Sequence, residues 1–187
     1  MAGREKGRMQ PIRNRAKISE MKHWLLYNKG VKYSFLFDLG INSGLRVSDL
    51  LKLKVSDVRN KKVLYLIMEK TEKELVVHLN PYIQSEIARY IEFKEDKEYL
   101  FSSREGVNRP LTRQMISQTF KEAAGALGLE KVNTHTMRKS FGYWYYKEKK
   151  DVYFLMKLFG HNTQTQTLQY IGIEDDEIAN TLQDFSL

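Results

Sequence analysis

Apolar residues along this chain recur mostly at three- and four-residue intervals, the period of a helix resting on a core. From Ile18, the residues Met21, Leu25 and Leu26 share one such face, and Gly30 ends the pattern. Tyr33 to Ile41 is a dense apolar run that predicts a buried helix, stopped at Asn42-Ser43-Gly44. Ser48 is a candidate cap for a short helix through Leu53, with Asp49 in its first turn. The period then changes. Val63 to Met68 and Leu75 to Leu79 read as strands joined by the polar stretch Glu69 to Glu74, a hairpin. Asn80-Pro81 opens a helix faced by Ile83, Ile87 and Ile91. Tyr99 to Ser102 suggests a further short strand, and Glu105 to Pro110 a loop.

The second half returns to helical spacing. Thr112 can cap a helix with Ile116, Phe120, Ala123 and Leu127 inside and Gly128 as its stop. Another starts after Asn133-Thr134 and carries Met137, Phe141, Trp144 and Tyr145. Asp151 caps a third, with Val152, Leu155, Met156 and Phe159 inside, and Gly160 closes it. Thr165 or Thr167 opens a short helix bearing Leu168 and Tyr170, and Ile178 and Leu182 mark a last one near 175–184. Residues 1–17 are basic, contain Pro11 and show no apolar period, so they read as a flexible arm ahead of one domain over 18–187. The expected fold is mainly α with a small antiparallel β-sheet.

Composition narrows the function. The chain has 187 residues, 42% of them hydrophobic, enough to close one core. No stretch approaches the eighteen or so apolar residues of a membrane span, and MAGREKGRMQPIRNR lacks the apolar run of a secretory signal. There is no cysteine, which removes disulfides, thiolate zinc sites and cysteine nucleophiles. The formal net charge is +8, but residues 1–32 carry +7 and residues 174–187 carry −5. A basic body points to a polyanion, nucleic acid ahead of a membrane surface, and fits plain solubility equally well.

Several chemical parts are missing from the sequence: a GxxxxGK[ST] phosphate loop, GxGxxG, HExxH and any cluster of carboxylates suited to magnesium. Cationic and imidazole groups remain. Arg46 lies in Ser43-Gly44-Leu45-Arg46-Val47-Ser48-Asp49-Leu50. His135 and Arg138 lie in Thr134-His135-Thr136-Met137-Arg138-Lys139-Ser140, one helical turn apart on one face. His161 follows Gly160, Tyr170 comes nine residues later, and Lys70 sits at the hairpin tip. Two arginines can fork onto the oxygens of a pentacoordinate phosphorane while imidazoles add hydrogen bonds. Taken singly, each of these residues has a plain reading as surface charge, structural hydrogen bonder or core. Phe141 to Tyr146 resembles a base-stacking platform, but its helical spacing favours core. His23 and His78 carry no partner in sequence.

Taken together and in order, SGLRVSDLLKL, MEKTEKELVVHL, HTMRKS and LFGHNTQTQTLQY resemble the catalytic domain of the tyrosine recombinases, the phage integrase family. The resemblance covers roughly residues 18–182 and is closest in layout to small, single-domain members. It implies that Arg46 and Arg138 bind phosphate, that Asp49 supports the first of them, and that Lys70 is the hairpin lysine. It further implies that His135 and His161 are the two site histidines and Tyr170 the nucleophile. Lys139 stands where many members carry histidine. Lys139 and Arg113 are additional candidates for DNA backbone contact, with solvated surface positions as the plain alternative. The implied activity is cutting and rejoining of double-stranded DNA through a 3′-phosphotyrosyl link, with no cofactor, metal or ATP. On this view Tyr170 needs a base or a strongly cationic site to ionise, and the arginine pair can supply the latter. Self-association on DNA through the C-terminal helix, no membrane contact and a cytoplasmic, DNA-associated location are also implied. Two other outcomes fit the same residues: a catalytically silent DNA-binding accessory protein, and nicking-closing of the type IB topoisomerase kind.

Overall fold

The computed structural model describes residues 9–67 and 74–173. Its first helix, α1 (Arg15–Lys29), begins where the Asn14 side chain accepts the free amides of Ala16 and Lys17. It ends at Gly30, whose φ of +92° reverses the chain. Helix α2 (Val31–Ser43) runs through the middle of the molecule, with Phe35, Leu36, Phe37 and Leu39 all buried. It packs chiefly on α1 and on α7 (Thr134–Lys149). Gly40 makes the second contact close: a Cβ there would lie 2.5 Å from the Met137 sulfur. Two short helices follow, α3 (Val47–Lys52) and α4 (Val55–Val58).

Strands β1 (Val63–Ile67) and β2 (Glu74–His78) pair antiparallel, with Leu64 opposite Val77 and Leu66 opposite Leu75. The period of two turns Leu64, Leu75 and Val77 inward and leaves Tyr65, Ile67 and Val76 exposed. Helix α5 (Pro81–Tyr90) carries the expected Asn80 cap and buries Ile83 and Ile87. Helix α6 (Arg113–Ala126) is capped by Thr112 and places Phe120 edge-on to Phe37. Helices α8 (Val152–Phe159) and α9 (Gln164–Ile171) end at Gly160 and Gly172, both left-handed. The architecture is mainly helical with one small sheet, as the pattern predicts. No helix among the described residues is long and apolar enough to cross a membrane.

Four expectations need correction. Residues 10–14 are not a free arm. Ile12 is buried, its amide donates to Ser140 Oγ at 2.7 Å, and its carbonyl accepts from Trp144 Nε1 at 3.0 Å. The third helix starts from the extended backbone of Arg46, two residues earlier than a Ser48 cap requires. Tyr99 to Ser102 makes only the isolated bridges Lys54–Tyr99 and Ser102–Pro110, because no continuous partner strand lies beside it. Thr163, not Thr165 or Thr167, caps α9. The helix expected near 175–184 lies outside the described residues.

Candidate active site

Two helix ends create the site. The last carbonyls of a helix have no intrahelical donor, and the helix dipole makes them attractive to cations. Arg138, one turn into α7, places Nη1 2.7 Å from the Gly44 carbonyl at the end of α2. Its Nη2 lies 3.0 Å from the Leu158 carbonyl at the end of α8. Arg46 donates from Nη2 to the next carbonyl, Phe159, at 3.2 Å. The Phe159 ring lies under Arg138, 4.4 Å from its guanidinium carbon. Gly44 has φ of +67°, and a Cβ there would sit 2.5 Å from the Phe141 ring. Glycine therefore lets the turn bring its carbonyl to Arg138.

Burial and the neighbouring Arg46 pull the Arg138 pKa down to about 10, while Tyr170 and Asp49 oppose the shift. Arg138 stays cationic at neutral pH, and the carboxylate of Asp49 acts on this second arginine.

Tyr170 projects from α9 into the same space. Its ring is 5.3 Å from Phe159 and 5.1 Å from the His161 ring, edge-on to both. Arg138 and Arg46 both lie within electrostatic reach of its oxygen. Burial raises its pKa above the ordinary phenol value and outweighs the lowering by Arg138 and Arg46. Both arginines pull towards phenolate, as expected, but desolvation is the larger effect, so the resting site holds Tyr170 protonated at neutral pH.

His161 follows the left-handed Gly160 and sets Nδ1 3.1 Å from Thr167 Oγ1. Burial, then Arg138 and Arg46, push its pKa down to about 4, so it is neutral at pH 7. His135 sits in the first turn of α7 with Nε2 3.3 Å from Arg113 Nη2. Partial burial, then Arg113, Arg138, Lys139 and Arg46, lower its pKa below 6.5. Four of the six expected side chains, Arg46, His135, His161 and Tyr170, therefore lie around a fifth, Arg138. The sixth, Lys70, lies outside the described residues.

The two auxiliary cations differ. Arg113 is exposed beside His135, a placement compatible with backbone contact. Lys139 is only 6% exposed, and its ammonium lies 4.8 Å from the centre of the Tyr170 ring. A solvated surface position is excluded for it: the lysine underlies the tyrosine. The sequence reading missed Thr167 and Phe159 as site residues and took Gly44 only as a stop. Thr167 lies one turn before Tyr170 on α9, a spacing that could have flagged it. Among the described residues, no three histidine or acidic side chains converge as metal ligands would.

The sequence profile of the phage integrase family matches residues 14–177. The chain is 42% identical over 168 residues to the probable integrase/recombinase YoeC of Bacillus subtilis strain 168, covering 90% of this chain and 92% of that one. It is 29% identical over 142 residues to a probable integrase/recombinase of Acholeplasma phage L2, covering 75% of this chain. It spans about half of the phage protein, 49% of its length. The crystal structure of XerA recombinase shares the fold with a TM-score of 0.74 at 16% identity, over 100% of this chain and 68% of that one.

Proposed function

The chain belongs to the phage integrase family, and from that premise we propose that it is a site-specific DNA recombinase. In this reading it cuts and rejoins strands through a covalent 3′-phosphotyrosyl intermediate without metal or ATP. One observation carries the reading. Arg138 is fixed by two backbone carbonyls and its charge still acts on the Tyr170 phenol, so nucleophile and phosphate-binding cation lie side by side. A phosphodiester entering beside them meets two guanidinium groups that need no reorganisation. The Tyr170 oxygen attacks phosphorus, the P–O5′ bond breaks, and the 5′-oxygen leaves with a proton from Lys70. A positioned acid of this kind is worth roughly 10²–10⁴ in rate. The phosphotyrosyl bond keeps the diester energy, so religation runs the same steps backwards.

Double-stranded DNA is the proposed partner, in keeping with the net charge of +8. Arg113 is the proposed further backbone contact. The acidic segment at about 175–184 is the proposed helix by which copies associate on DNA. A nicked suicide duplex tests the core of this reading. The wild-type chain should form an adduct that survives denaturation, and Tyr170→Phe should abolish it. Binding without any adduct would favour the accessory-protein reading, and relaxation of supercoiled plasmid without exchange between two sites the topoisomerase-like one.

A further inference from the structure

Helix α9 carries Tyr170 and is only eight residues long, too short to hold its shape without support at both ends. Its start is closed by Thr163, whose hydroxyl accepts the Gln166 amide at 3.1 Å. Its end is closed by a left-handed turn: the Gly172 amide donates to the Gln169 carbonyl, and the Ile173 amide to that of Leu168 at 3.1 Å. Carbonyls at a helix end attract cations, yet the last turn of α9 contains no basic residue. Arg13, 159 residues earlier in the chain, supplies the cation, and its Nη2 donates to the Gly172 carbonyl at 2.8 Å.

Arg13 can serve as an anchor because its own backbone is held on both sides. Before it, the Ile12 amide donates to Ser140 Oγ at 2.7 Å, and the Ile12 carbonyl accepts from Trp144 Nε1 at 3.0 Å. After it, Asn14 caps α1 through the amides of Ala16 and Lys17. Ser140 and Trp144 both belong to α7, the helix of Arg138. The Arg13 guanidinium also lies 5.7 Å from the centre of the Tyr143 ring on that helix. Residues 10–13 are thus a strap, fastened to the helix that presents Arg138 and reaching the helix that presents Tyr170. The fit at its far end is close. A Cβ at Gly172 would lie 2.9 Å from Arg13 Nη2 and 3.5 Å from Pro11 Cδ.

We propose that Arg13 is a positioning residue for Tyr170: through the Gly172 carbonyl it seats α9 against α7, which sets the phenol beside Arg138 and Arg46. The seating is independent of the recombinase reading; its effect on strand cutting rests on that reading. Arg13 acts through the short stretch of backbone from Gly172 to Tyr170, and Ile171 within it is fully buried. With the bond removed, the last turn of α9 opens more often. Tyr170 then spends less time in line with a phosphodiester held by the arginines. Arg13 is exposed, so direct contact with a DNA backbone is the rival use of the same side chain.

Amide hydrogen exchange of the full chain tests the seating. Arg13→Met removes the donor and should speed exchange at residues 170–173 by about threefold or more, with the interior of α2 unchanged. Arg13→Lys, which keeps a charged donor, should recover part of the protection. Unchanged exchange at 170–173 in Arg13→Met overturns the proposal whatever the activity. Single-turnover adduct formation on a nicked suicide duplex tests the consequence. At saturating duplex, Arg13→Met should lower the rate by roughly three- to tenfold, while the duplex concentration at half-maximal rate stays at the wild-type value. Arg13→Lys should recover part of that rate. A wild-type rate at saturation overturns the positioning role, and a raised half-saturation beside it identifies Arg13 as a DNA contact instead. No adduct even from the wild-type chain removes the recombinase reading, and the exchange experiment still decides the seating.

Discussion

Arg138 and Gly44, 94 residues apart in the chain, are joined by a 2.7 Å hydrogen bond from guanidinium Nη1 to a main-chain carbonyl. A second fork of the same group reaches Leu158. Lysine keeps the charge but cannot span both oxygens. Arg138→Lys should therefore cut adduct formation on a suicide duplex by roughly a hundredfold or more. It should also cost about 1–3 kcal/mol in urea unfolding, because a buried carbonyl loses its donor. Full activity in Arg138→Lys would show that the fork is dispensable.

Gly142 sets how closely α7 approaches the helix that carries Tyr170. A Cβ at this position would lie 2.6 Å from Ile171 Cγ2 and 2.8 Å from the Phe159 ring. Gly142→Ala must push α9 and the end of α8 outward. The expected cost is about 1–3 kcal/mol of stability by denaturant titration. Adduct formation should fall at least tenfold in protein that is still folded, since a small misplacement of a nucleophile is costly. An unchanged rate would mean that α9 tolerates displacement.

Acid should destabilise the protein through His161. The unfolded side chain takes up its proton near pH 6.5, the folded one only near about 4. Between these values the unfolded state binds more protons, so stability rises with pH. The contribution is whole above pH 6.5 and is lost as pH falls towards 4. His135, also lowered, adds in the same direction. The urea midpoint should climb from pH 4 to pH 7, and His161→Gln should flatten part of that slope. Tyr170, raised by burial, has the opposite reach: above pH 10 the unfolded phenol ionises first and stability declines.

The N-terminal segment should prove structural. Ile12 is 4% exposed, and Arg13 donates to the Gly172 carbonyl, the cap of α9, at 2.8 Å. Ile12→Ala should cost about 2–5 kcal/mol. Removal of residues 1–13 should lower the thermal midpoint and slow adduct formation together. A truncated chain with wild-type stability would contradict the docking.

Legibility in the sequence followed the range of the forces involved. Asn80, Thr112 and Asp151 were readable as caps because a cap is a bond between a side chain and an amide three residues on. The candidate site residues were legible through the order of four motifs, and four of them lie near Arg138. Lys139 was not, because nothing local distinguishes a lysine over a tyrosine ring from one in solvent; the ring arrives from a helix that begins 25 residues later. Ile12 failed for the same reason. It is a lone apolar residue in a basic stretch, and its partners Ser140 and Trp144 lie 128 and 132 residues away. The protonated state of Tyr170 was missed because counting nearby cations omits the desolvation that the same packing imposes.

The oxygen atoms that seat both arginines belong to the main chain at Gly44, Leu158 and Phe159. Point substitution can delete a side-chain anchor but not a carbonyl. Side chains around this charged pair can therefore drift, generation after generation, while the cations keep their address, so long as two helices still stop where they stop now.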